Sequence, residues 1–170
     1  MDTVTYDFSE FKDFFGKMRA AANGDFRREV EEFLVSVGTE FLRIIQDEIE
    51  RRKVTDTRLL INSFARGAEG NVWELDEDGL VLEVGTNVKY AAFVNDGHWT
   101  CAKGEKSRFV PGRWEGDRFI YDPNADTGMV LKQKWISGKH YWESALRALD
   151  RIYPGMVEAK LQEWLDKYFS

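Results

Sequence analysis

Apolar residues recur along this chain in helical and in alternating rhythms. From Phe26 to Ile49 they fall at 26, 30, 33, 34, 37, 41, 44, 45 and 49, in steps of four, three and one. That spacing gathers them on one stripe of an α-helix. It predicts a helix from about Asp25 to about Lys53, ~43 Å long at ~1.5 Å per residue. Arg51-Arg52-Lys53 at its end complements the negative pole of the helix dipole. A shorter helix precedes it, capped by Ser9, striped by Phe11, Phe14, Phe15 and Met18, and ended by Asn23-Gly24. Thr55-Asp56-Thr57 breaks the pattern and caps a short helix through Phe64.

The rhythm then shortens to two. Residues 71–75 and 80–85 alternate apolar and polar around Asp76-Glu77-Asp78-Gly79, which reads as a β-hairpin with an Asp-Gly turn. Tyr90 to Val94 follows as a short helix or turn. Between 97 and 138 no period holds, because glycines at 97, 104, 112, 116, 128 and 138 and prolines at 111 and 123 interrupt it. This stretch reads as an extended irregular loop with two further short strands at 117–121 and 129–132. A connection so long inside a compact domain is generally functional or mobile. Helical spacing returns from Lys139 with Tyr141, Trp142, Ala145, Leu146, Leu149 and Ile152. Pro154 is expected to start a last helix, striped by Val157, Leu161, Trp164, Leu165 and Tyr168. The order predicts one α+β domain over 1–170, a small antiparallel sheet packed by the long helix and the C-terminal helices.

Composition narrows the class. The 170 residues are 43% apolar and 32% charged, as in globular chains. Aromatics reach 14%, more than a small core needs, which leaves rings for a partner surface. No apolar run approaches the ~20 residues of a membrane span, and the acidic N-terminus lacks the pattern of a signal peptide. The single cysteine, Cys101, permits no intrachain disulfide and suits a reducing compartment. The net charge of −6 argues against bulk nucleic-acid binding. That charge is uneven: 61–100 holds seven acids against two bases, and 101–139 holds eight bases against five acids. Repeated on identical subunits, such patches steer one copy onto the next.

Two groupings bear on chemistry. Asp96, His98 and Cys101 lie within six residues and are the best candidate for a metal- or thiol-dependent enzyme. Their spacing matches no ligand or nucleophile pattern, and a structural role is the simpler reading. Phosphate-loop and nucleophile-elbow signatures are absent. Trp99, Phe109, Trp114, Phe119, Tyr121 and Trp135 interleave with bases such as Arg113. This composition fits single-strand stacking or a protein interface anchored by Trp and Arg. The acidic balance favours the interface, with Trp99, Phe109, Arg113, Trp114, Phe119 and Trp135 as its candidate residues.

The run Val84-Gly85-Thr86-Asn87-Val88-Lys89-Tyr90-Ala91-Ala92-Phe93-Val94-Asn95-Asp96-Gly97 resembles a motif of a phage tail-component family. These are small tail-completion or head-to-tail joining proteins of lambda-like coliphages, prophages and phage-derived tail particles. Gly85, Thr86, Tyr90, Phe93 and Gly97 are the positions that carry the likeness. The segments 57–64 and 138–146 resemble the same family, although Asp56 and Thr57 stand where it has glycine and Asn95-Asp96 where it often has glutamate. The resemblance implies a virion structural protein with no enzymatic activity, no cofactor and no metal. It implies a six-fold ring at the neck. The expected partners are its own copies and tail-tube, terminator, sheath or connector proteins, without membrane or sequence-specific nucleic acid. It would be assembled in the bacterial cytoplasm and reside in the particle's neck or tail.

Overall fold

A computed structural model describes residues 16–17, 19, 26–54, 58–76 and 81–169. Most of the expected first helix with its Ser9 cap, the Asp25 cap, the Thr55–Thr57 cap and most of the 76–79 turn lie outside these residues. The described chain is α+β. Helix α1 spans Phe26–Arg51, α2 Arg58–Asn62, α3 Ala91–Asp96 and α4 Tyr141–Phe169. Strands β1 (Asn71–Leu75) and β2 (Leu82–Thr86) form one antiparallel ribbon. β3 (Gly97–Trp99) pairs with β7 (Trp135–Ser137), and β4 (Ser107–Glu115) lies between β5 (Arg118–Tyr121) and β6 (Gly128–Lys132). The chain divides into two compact units, one of 1–88 with 141–170 and one of 89–140.

In the first unit the C-terminal half of the stripe predicted for α1 lies in the core, whereas Phe26 at its start is exposed. Phe41, Leu42, Ile44, Ile45 and Ile49 are buried, together with Leu60, Phe64, Tyr141 and Ala145. Helices α1 and α4 run antiparallel, with ring contacts Phe41–Trp142 at 5.2 Å, Phe33–Tyr153 at 6.3 Å and Phe26–Trp164 at 5.5 Å. Helix α1 ends where Lys53 takes a left-handed conformation (φ 52°) and Val54 N–H reaches back to the Ile49 carbonyl, a C-terminal cap without its usual glycine. The inner face of the β1–β2 ribbon rests on α1. Gly38 is what permits this, since a Cβ there would lie 2.5 Å from Leu82 Cδ2 and 3.0 Å from the Trp73 ring.

Three differences from the expected layout have physical reasons. Pro154 does not begin a new helix; α4 passes through it. A proline inside a helix costs ~3 kcal/mol. Packing offsets this at both ends of α4, where Tyr141 and Ala145 are buried near one terminus and Tyr168 near the other. The antiparallel strands form three small sheets rather than one. The 97–138 stretch contains β3 to β7: β5 and β6 match the two expected strands, whereas the three-residue β3 and β7 and the longer β4, with Pro111 and Gly112 in its middle, were not anticipated.

Candidate interaction surface

The family-like stretch from Gly85 to Gly97 forms joints. Thr86 Oγ1 lies 2.7 Å from Ser63 Oγ and accepts the Val88 amide at 3.1 Å. Ser63, fully buried, spends its proton on the Leu60 carbonyl at 2.8 Å, so Thr86 is the donor between the two hydroxyls. Asn71 Nδ2 donates to the Ser63 carbonyl at 3.0 Å. These bonds tie the turn after α2 to the β1–β2 ribbon. Tyr90 occupies the N-cap position of α3, where its carbonyl receives the Val94 amide at 3.0 Å. Gly97 has φ 88°, and a Cβ on it would meet the Ile136 carbonyl at 2.6 Å; both facts require glycine. Phe93 is 57% exposed, edge-on to His98 at 5.7 Å.

Asp96, His98 and Cys101, the candidate enzyme residues, each have a partner elsewhere. Asp96 Oδ1 accepts from Asn95 Nδ2 at 2.7 Å, and His98 Nδ1 faces the Phe93 carbonyl at 3.4 Å. Cys101 is buried and donates to the Leu131 carbonyl at 3.3 Å. Among the described residues, no group of three or more His, Cys, Asp or Glu side chains is placed to hold a metal ion. No described helix is long and apolar enough to cross a membrane.

Register pairs the interface candidates. Trp99 lies opposite Trp135, with ring centroids 5.4 Å apart, and Trp114 opposite Phe119 at 5.3 Å. Phe109 lies opposite Val130. Trp99, Phe109 and Trp114 are each more than half exposed, Trp135 is exposed and Phe119 half-buried. Arg113 makes an exposed ion pair with Glu115 at 3.0 Å. The structure thus brings four of the six candidates together in two edge-on ring pairs within the second unit. Sequence reading passed over Val130 and Ile136, which are also exposed there. The alternation of 128–132 was the available signal for Val130.

In the first unit, a groove of about 380 Å³ between α1 and α4 is lined by Phe26, Val30, Phe33, Val157, Leu161 and Trp164. Beneath it the buried Glu29 carboxylate is held by Lys167, by Lys160 at 3.1 Å and by the Tyr168 hydroxyl at 3.3 Å. Its Lys167 hydrogen bond outweighs burial and holds the carboxyl below its usual range. This cluster clamps the start of α1 to the end of α4.

The family described as "Bacteriophage HK97-gp10, putative tail-component" matches residues 9–97. The chain is similar to the phage-like element PBSX protein XkdI of Bacillus subtilis (strain 168), 47% identical over 150 residues, covering 88% of this chain and 92% of that protein. It is likewise similar to the uncharacterized protein YqbI of the same strain, 45% identical over 159 residues, covering 92% and 95%. No solved structure matches. With the α+β scaffold, the motif joints from Gly85 to Gly97 and two near-full-length relatives, the chain belongs to the HK97 gp10-like family of phage tail components.

Proposed function

We propose that the chain is a ring-forming neck or tail-completion subunit that joins or caps the tail tube toward the head of a phage or phage-like tail particle. The carrying observation is the concentration of exposed apolar side chains in 89–140, among them Phe93, Trp99, Phe109, Trp114, Tyr121 and Trp135. Single exposed apolar residues are ordinary, but clustered rings mark a surface that another protein covers. The relationship to a protein of a phage-like element supports a particle of phage origin. The ring is of copies of the chain, six by family resemblance. It stacks against tail-tube, terminator, sheath or connector proteins, is built in the bacterial cytoplasm and acts structurally.

The test combines position with interface. A tagged chain, gold-labelled on purified particles, is expected at the head-proximal end of the tail. Trp114→Ala with Trp135→Ala is expected to leave a folded protein and unfinished or headless tails in electron micrographs. Label along the whole tube, or at the distal tip, overturns the neck reading. Normal particle counts with the double variant remove the aromatic surface from assembly.

A further inference from the structure

The groove between α1 and α4 is left open by the two helices that form it. Phe26, Val30 and Phe33 wall it on α1, and Val157, Leu161 and Trp164 wall it on α4. A second hollow shares Val157 and Leu161 and continues the strip past Tyr153 and Leu165. Phe26 is 48% and Leu161 55% exposed. The N-terminal half of the α1 stripe therefore faces this groove, while the C-terminal half lies in the core. A contiguous apolar strip of this kind marks a surface that another body covers.

A matching segment lies directly upstream. Phe11, Phe14, Phe15 and Met18 are spaced for one face of a helix. Gly16, Lys17 and Arg19 are helical, and Gly16 and Arg19, which fall off that stripe, are exposed. Asn23-Gly24-Asp25 then separates the segment from Phe26, a length and composition suited to the tight loop of an αα-hairpin. A reversal centred on Gly24 also sets the register. Met18 and Val30 each lie six positions from it, and Phe15 and Phe33 each lie nine. We propose that residues 9–22 form a helix that turns back at Asn23-Gly24 and seats Phe11, Phe14, Phe15 and Met18 in the α1–α4 groove of the same chain. Met18 meets Val30, Phe15 meets Phe33, and both stripes leave water together. The short connection is why the occupant is this segment rather than a second copy or another protein, since a short tether holds it at an effective concentration on the order of millimolar.

Disulfide trapping in the full chain tests this, with Cys101→Ser removing the native thiol. Met18→Cys with Leu161→Cys, and Phe15→Cys with Val157→Cys, place thiols on the stripe and on the α4 wall. At least one pair is expected to close within a single chain under mild oxidation, whereas Gly16→Cys with Leu161→Cys, off the stripe, is expected to stay reduced. Hydrogen exchange gives a second reading without cysteines. Phe11→Asp with Phe15→Asp is expected to speed exchange of amides in 27–33 by roughly tenfold or more, with central α1 as protected as in wild type. Unchanged exchange in 27–33, or no disulfide from either stripe pair, overturns the proposal. Disulfides that form only between two chains assign the groove to a second copy and overturn it too. Crosslinks in particles from Leu161→Cys to a different tail protein, in place of the chain's own N-terminal segment, do the same.

Discussion

At the scale of single residues, the best-defined electrostatics lie where α1 ends. The Glu48 carboxylate, 14% exposed, accepts from Arg51 Nε at 2.9 Å and Arg52 Nε at 3.0 Å. Arg51 lowers the Glu48 pKa most, and the carboxyl is held down to about 2 against an ordinary 4.5. A folded-state pKa below the unfolded value contributes stability that is present above the unfolded value and lost as pH falls through the folded one. Glu29, held low foremost by Lys167, adds in the same direction. Thermal stability should therefore decline as pH drops from about 4.5 toward about 2. Glu48→Gln should lose up to about 1 kcal/mol at pH 7, because Arg51 is largely solvated, and should show a shallower acid decline. Parallel melting curves of wild type and variant across that range check it; identical slopes would mean the Arg51–Arg52 contacts do not hold the proton off.

At the scale of elements, α1 is the part most plainly written in the chain. The C-terminal half of its apolar stripe returns as the buried Phe41, Ile44, Ile45 and Ile49, joined by Leu42. Phe41 is 7% exposed and edge-on to Trp142, so Phe41→Ala should cost about 3–5 kcal/mol. Gly38→Val, which drives atoms into Leu82 and Trp73, should cost about 1–3 kcal/mol by overpacking. Chemical denaturation measures both, and a neutral Phe41→Ala would contradict the α1–α4 core. The hairpin was equally legible, since strict alternation on Trp73, Leu75, Leu82 and Val84 leaves one way to face the helix. Other elements were not. Pro154 punctuates the sequence as a helix start, yet tertiary packing along α1 carries α4 through it. Strand β4 hides behind Pro111 and Gly112, and three-residue strands such as β3 and β7 exist only through their pairing. The candidate surface was legible as composition, aromatics among bases. Its pairing of Trp99 with Trp135 and Trp114 with Phe119 depends on register, which no local pattern supplies.

At the scale of the molecule, the two units differ in what holds each together. The first buries long aliphatic and aromatic side chains between α1, α2 and α4. In the second, the buried residues are small or polar: Ala91, Asn95, Cys101 and Gly112. Its strands are secured mainly by backbone bonds and by turn bonds such as Thr127 Oγ1 to the Gly112 carbonyl at 2.9 Å. Segments with little buried apolar surface open locally at lower free energy than the core. In the free protein, hydrogen exchange should therefore find amides of central α1 and α4 protected to the level of global unfolding. Amides of β3 to β7 should exchange through local opening, faster by orders of magnitude. If the proposed subunit contacts run through the exposed rings of 89–140, assembly should change the second unit more than the first. Exchange on intact particles should show the largest gain of protection in β4 and β5, and almost none in central α1. Equal protection of β4 and β5 in free protein and particle would mean that this sheet completes the monomer's own fold, and the subunit contact would then lie on another face.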